Sequence, residues 1–454
     1  MNGLTSSGPQ LNNSNLSRLV AIIAICLLLK FLCANAFREA VSTPETLGPV
    51  DFVSYYEAAE RLNRGSSLYS NAQSGGLYVY TPLLAQCLRF TLLHKSLEVA
   101  RRLWLGISIV LLCVSMLVCI KAFDFGLEKD LSKIILVFVT GFRYWPTVVE
   151  FAIGNSHMVL LALVSGMLLC NRHKRWILLG LLIGVAAAMK TWCILFVSYL
   201  IICRQRKAAL AALGSFAALT GILLQVSGPT ALSEFLNMTF YVANRFSVAG
   251  AHDLSTSLPL CPLPISHSIF GVTGMFLREN CFGVTPFLNS ALAYGGVLVS
   301  FALTIIGGLL YAFRLKLTTN SEHQLLLNFC ILSTLLLVPV CHVYTIVLAL
   351  PSIWALTSLY KDHQMRYQLL INGLALLSYL ILAMPLASTS PVPPQLNHGI
   401  ISLTLSLPFL AVFLLWCTML FALSRSQLHS LTHLNFKTAL FTEAVPSSQR
   451  KIFR

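Results

Sequence analysis

The chain has 454 residues, 56% of them in the hydrophobic set and only 10% charged, with a mean hydropathy of +0.77. Soluble chains carry about 25% charged residues, so a soluble globular protein is excluded. The 31 basic and 16 acidic residues leave a formal charge of +15, a surplus that must be placed relative to membrane spans before any nucleic acid is invoked.

A bilayer core of about 30 Å takes roughly 20 helical residues. Apolar runs that meet or approach this length predict twelve spans: Leu16 to Phe37, Leu103 to Ala122, Leu131 to Tyr144, Ser156 to Cys170, Trp176 to Met189, Thr191 to Cys203, Ala208 to Val226, Ala291 to Phe313, Leu325 to Val340, His342 to Leu359, Leu369 to Leu386 and Ile401 to Leu423. The predicted fold class is therefore an all-α polytopic membrane protein, one integral domain over residues 1–454. A single Arg18 precedes the uninterrupted apolar stretch Leu19 to Phe37 and no clear small-residue cleavage site follows it, so it reads as a retained span.

The stretch from Trp176 to Cys203 is too long for one comfortable span and too short for two. Lys190 sits at its centre, and the clusters Arg172, Lys174, Arg175 and Arg204, Arg206, Lys207 flank it. Both clusters belong on the cytoplasmic side, which predicts a tight hairpin with Lys190 at its tip. With both termini cytoplasmic, 19 of the 31 basic residues fall on that side and 11 on the other, with Lys30 inside the first span and a candidate to face the same cavity. The acids divide 6 inside and 10 outside. Topology accounts for the charge, and no nucleic-acid partner is predicted. The basic tail, residues 424–454, is expected to meet anionic headgroups at roughly 1 kcal/mol per residue.

Two large outer segments remain, residues 38–102 and 227–290. In the first, Phe52, Tyr55, Ala59 and Leu62 recur at helical spacing between Asp51 and Gly65, which predicts an amphipathic helix at the membrane interface. Asp51 opens it, either as a cap for the first turn or as a carboxylate at the mouth of a membrane cavity that can serve as a general base. Gly65 to Tyr69 and the tyrosines Tyr78 and Tyr80 before Pro82 follow. The second segment holds Asn244 to Ser247, His252-Asp253 and a Pro-rich run, and reads as a loop with one short helix.

The order Asp51-Phe-x-x-Tyr55-Tyr56-x-Ala-Ala, Gly65-x-x-x-Tyr69 and Tyr78-x-Tyr80-x-Pro82-Leu, directly after the first span, resembles glycosyltransferase family 87. Gly154-Asn155 before an apolar run, and Gly180-Leu-x-x-Gly184-x-Ala-x-x-x-Lys190, extend the resemblance over roughly residues 15 to 210. The C-terminal half is less faithful, since His342 with Tyr344 nearby stands where the family often has a His pair. The resemblance implies a GT-C-type fold and transfer of a hexose, mannose above all, from a polyprenyl-phosphate donor to a lipid or glycan acceptor. It further implies inversion with Asp51 as base, and a plasma-membrane location with the site on the outer face.

Such a transfer needs a base for the acceptor hydroxyl, a cation for the leaving phosphate and an apolar groove for the polyprenyl chain. Lys190 is the best-placed cation, because an ionisable group at membrane depth is a functional hypothesis by default; a lysine snorkelling to the interface is the alternative. Arg143, Arg101 and Arg102 are secondary cations, with Arg143 equally suited to anchoring at the headgroups. The motif residues Tyr55, Tyr56, Tyr80 and Asn155 are candidate substrate contacts. His342 is either a further contact or a histidine hydrogen-bonded at a span end. No DxD-like pair occurs, so metal-independent transfer without a cofactor is expected. Most of the thirteen cysteines lie in apolar runs and none forms a CxxC pair; Cys261 and Cys281 share the second outer loop, where an oxidising face would allow them to pair. The competing class is a transporter or lipid-linked-saccharide flippase, which would show internal repeats and midplane charges; neither is evident. A non-catalytic scaffold would not need Asp51 and Lys190 on one side.

Overall fold

A computed structural model describes residues 13–42, 50–69, 78–125, 131–228, 230–245, 291–338, 341–359, 365–384 and 406–426. Every regular element among them is helical: α1 (Asn13–Ser42), α2 (Val50–Asn63), α3 (Leu83–Thr91), α4 (Leu97–Ala122), α5 (Leu131–Arg143), α6 (Trp145–Ile153), α7 (His157–Arg172), α8 (Trp176–Met189), α9 (Val197–Ile202), α10 (Arg206–Val226), α11 (Ala231–Arg245), α12 (Ala291–Arg314), α13 (Asn320–Leu337), α14 (Leu350–Leu359), α15 (Met365–Ala383) and α16 (Ser406–Ser426). Each of the twelve apolar runs carries helix. Among the described residues, α4, α10 and α16 are long and apolar enough to cross a membrane, and the bent pair α5–α6 forms a fourth such unit. The Cys261–Cys281 pairing and the tail beyond Ser426 lie outside the described residues.

Three local readings change. The segment after Tyr144, which fell between two predicted spans, is helix α6, set at 48° to α5. Pro146, in its first turn, has no N–H to donate and its ring crowds the preceding turn, which ends α5 and starts a new helix. Thr191–Phe196 and Val343–Ala349 are 3₁₀ segments, where continuous helix was expected. Lys30 lies on an exposed face of α1 and does not enter a cavity, whereas Leu32 and Ala36 of the same helix are buried.

The bundle centres on α13. Its polar residues are matched inside it: Gln324 Nε2 donates to Leu168 O (2.8 Å), Ser352 Oγ to Asn328 Oδ1 (3.2 Å) and Trp416 Nε1 to Ser333 Oγ (2.9 Å). A helix apolar on all sides with such internal partners belongs in the middle. Its first turn is closed by a capping box in which Thr319 and Glu322 satisfy each other's backbone amides. Glu322 also accepts from Ser426 Oγ at the end of α16 (2.7 Å).

Tyr199 of α9 meets Trp176 at the start of α8, with ring centres 6.3 Å apart, and donates to Asn171 Oδ1 at the end of α7 (2.6 Å). The chain from Trp176 to Ile202 is therefore a hairpin with Lys190 at its tip, as the charge pattern predicts. The Arg172 to Arg175 and Arg204 to Lys207 clusters sit together at its open end.

Gly180 and Gly184 allow α8 to lie directly on α10. A Cβ on Gly180 would collide with the Ala208 carbonyl, and one on Gly184 would collide with Ser215 Oγ and stand 2.6 Å from Ala212 O. This spacing brings two backbones close enough for packing to hold them, as in other small-xxx-small contacts. Gly184→Leu is expected to cost about 3 kcal/mol, since the obstacle is backbone that cannot give way. A fall in the melting temperature of the detergent-solubilised protein would report it, and an unchanged melt would mean that α8 and α10 are not in contact.

Candidate active site

The first outer segment folds onto the tip end of the bundle. On α2, Phe52, Tyr55, Ala59 and Leu62 are all buried, packed with Tyr69, Tyr78, Leu84, Leu88 and Trp104. The apolar face predicted for this helix is thus covered by protein. Tyr56 OH donates to Lys95 O (2.7 Å), so this tyrosine ties α2 to the α3–α4 turn and points away from Asp51's neighbours. Phe52 stands against the turn between α6 and α7. There Gly154 adopts φ +71° at the end of α6, a conformation favoured by glycine, and a Cβ would sit 2.8 Å from Phe52 Cβ. Trp104 Nε1 holds the turn by donating to Gly154 O (3.0 Å). The Gly-Asn pair therefore has a geometric reason: glycine makes the turn and admits α2, and the next side chain is delivered to Asp51.

Asn155 is fully buried and joins the two charges that sequence reading singled out. Its Nδ2 donates to Asp51 Oδ2 (2.6 Å), and its Oδ1 accepts from Lys190 Nζ (3.0 Å) and from Ser156 N (2.6 Å). This orientation of the amide follows from its neighbours, because a carboxylate needs a donor and an ammonium an acceptor. Asp51 is only partly exposed, and Tyr344 also donates to it. Burial raises its pKa above the ordinary aspartate value, while Asn155, Lys190 and Tyr344 pull in the opposite direction; the net shift is upward.

Lys190 occupies an extended residue between α8 and the 3₁₀ turn and is 4% exposed. Its Nζ is 3.1 Å from His157 Nε2 and 4.5 Å from the centre of the Tyr80 ring. Thr81 Oγ1 donates to the Ala188 carbonyl beside it, one of the helix-end acceptors that α8 leaves unsatisfied, and so fixes the Tyr80 loop over the lysine. Tyr80 in turn meets Tyr55, with ring centres 5.6 Å apart, and its carbonyl accepts from Tyr69 OH (2.9 Å).

His157 is held by Glu150 of α6, which accepts from His157 N (2.6 Å) and lies 3.3 Å from His157 Nδ1. The Tyr344 ring lies 5.3 Å from that of His157 and 5.0 Å from that of His342. Of the residues predicted from sequence, Asp51, Lys190, Asn155, Tyr55, Tyr80 and His342 come together around this network. Tyr56 turns to the α3–α4 segment, and Arg143 is exposed at the end of α5 with its charge beside Tyr379. Sequence reading missed Glu150 and His157. Glu150 is the only acid between Asp130 and Glu234 and stands in an apolar stretch, a signal that could have been used. His157 gave none beyond opening an apolar run.

The arrangement offers a partly accessible carboxylate, a fixed ammonium one amide away, and tyrosine and histidine rings beside both. A search of curated protein sequences finds no match. The family model for glycosyltransferase family 87 matches residues 78–339, more than half of the chain; the match includes Tyr80, Asn155, Glu150, His157 and Lys190, and leaves Asp51 and His342 outside its limits. With that extent matched, and with helices of spanning length and hydropathy in the bundle, the chain belongs to glycosyltransferase family 87 and is a helical membrane glycosyltransferase.

Proposed function

We propose that the protein transfers a hexose, mannose in the first instance, from a polyprenyl-phosphate donor to a lipid-linked or glycan acceptor, with inversion at the anomeric carbon. The observation that carries this reading is the single Asn155 amide that holds Asp51 on one side and Lys190 on the other. Asp51 takes the proton of the acceptor hydroxyl as its oxygen attacks the anomeric carbon. The bond from that carbon to the phosphate oxygen breaks, and polyprenyl phosphate leaves with the electron pair, its charge met by Lys190. A phosphate leaves without protonation, so one carboxylate suffices. The raised pKa of Asp51 suits a base that works near neutral pH. Tyr55, Tyr80, Tyr344 and His342 supply rings and hydroxyls for the sugar.

The location follows the charge: the basic clusters gather at the end of the α8–α9 hairpin remote from Lys190, which supports a cytoplasmic face there and an outer face at Asp51. Both termini are then cytoplasmic, in the plasma membrane. Purified protein in proteoliposomes, given radiolabelled polyprenyl-phosphate mannose and a membrane lipid extract, should release polyprenyl phosphate and label a glycolipid. Transfer from a nucleotide sugar with none from the polyprenyl donor would overturn the reading.

A further inference from the structure

We propose that Glu150 and His157 are positioning residues that hold the Lys190 ammonium toward the leaving phosphate, an inference that rests on the role given to Lys190 above. Two groups of His157, its backbone N–H and Nδ1, face the two oxygens of Glu150, at 2.6 and 3.3 Å. A carboxylate at Nδ1 fixes the tautomer with its proton there, which leaves the Nε2 lone pair for Lys190 Nζ at 3.1 Å. Carboxylate–histidine pairs orient metal ions by the same logic, with the cation here an ammonium. Lys190 then spends one N–H on His157 and one on Asn155, and the third is the one available to a phosphate oxygen.

The groups around the lysine give the same assignment. The carboxylates that face Lys190 are Asp51 from α2 and Glu150 from α6; His157, Tyr80, Tyr344, Cys193 and Cys341 are the other titratable groups around it. Asp51 must lose its negative charge when it takes the acceptor's proton. Glu150 is fully buried behind His157 and has no route to the acceptor, so it takes no part in that exchange. Two acids around one lysine thus divide the work: one exchanges a proton with the acceptor and the other holds the histidine that orients the lysine.

The alternative is that Glu150 merely caps α7, whose first free amides it accepts. Glu150→Gln keeps a capping oxygen and removes the charge, so the two roles separate in a double-mutant cycle with Lys190→Met, using the polyprenyl-phosphate mannose assay and the monodisperse fraction of each variant. The positioning role predicts that Glu150→Gln lowers kcat/KM for the donor at least tenfold with little change in acceptor KM, and that it costs nothing further in the Lys190→Met background. Equal losses in both backgrounds would overturn it. Full activity of Lys190→Met alone would instead defeat the reading of Lys190. If Glu150→Gln fails to fold, His157→Gln enters the same cycle, where it must likewise lose its effect once Lys190 is gone.

Discussion

Replacing Asp51 by asparagine is expected to lower transfer by about 10²–10⁴-fold, the range that a positioned general base contributes, while leaving the fold intact. The side chains are nearly isosteric, and the asparagine oxygen can still accept from Asn155 Nδ2, so the α2 to α6–α7 contact survives. What is lost is the proton acceptor. The wild-type pH profile should carry the complementary signature. Burial raises the Asp51 pKa, so the base is protonated, and activity is lost, at a higher pH than an ordinary aspartate would allow as the pH falls. The acid limb of kcat/KM for the wild type, together with the single-turnover rate of Asp51→Asn, checks both points. Wild-type rates in purified Asp51→Asn would mean that the base lies elsewhere.

Lys190→Met should be the more damaging change, since it acts on stability and chemistry together. It leaves the buried acceptors Asn155 Oδ1 and His157 Nε2 without their donor, and an unsatisfied buried polar group costs about 1–3 kcal/mol. It also removes the charge proposed to meet the departing phosphate. The expected result is a lower melting temperature with transfer reduced by about 10²–10³-fold, a loss that leaves a measurable residue. Lys190→Arg is not expected to rescue: a planar guanidinium is larger than the space between Asn155, His157 and the Tyr80 ring, and its fork does not match two acceptors set on different sides. A variant with wild-type melting and activity would remove Lys190 from the site altogether.

The charge pattern made the Lys190 hairpin legible. Two basic clusters cannot be left on opposite sides of so short a segment at low cost, and Tyr199 beside Trp176 shows the resulting return of the chain. The buried face of α2 was legible for a similar reason, because helical periodicity places Phe52, Tyr55, Ala59 and Leu62 on one stripe whatever covers it. Residues 145–153 were not. They fall between two predicted spans, and only packing on the 3₁₀ segment at Val343–Ala349 and on α1, with the bond from His157 N, reveals a helix with Glu150 facing inward. Likewise Arg143 carries a suitable charge and stands near the right depth in the chain, but the bend after it turns its side chain outward.

Hydropathy and charge placement determine by themselves that this chain is a helical membrane protein, where most of its apolar helices run, and that Asp51 and Lys190 stand out from the apolar background. These are local properties, set by the cost of burying charge and by helical periodicity, so they can be read along the chain. Only the tertiary structure decided that Asn155 bridges Asp51 and Lys190, that His157 and Glu150 back the lysine, and that Tyr56 and Arg143 face elsewhere. Asp51 and Asn155 are 104 positions apart and Asn155 and Lys190 are 35; whether such side chains meet depends on how helices pack and on a glycine turn that points one amide between two charges.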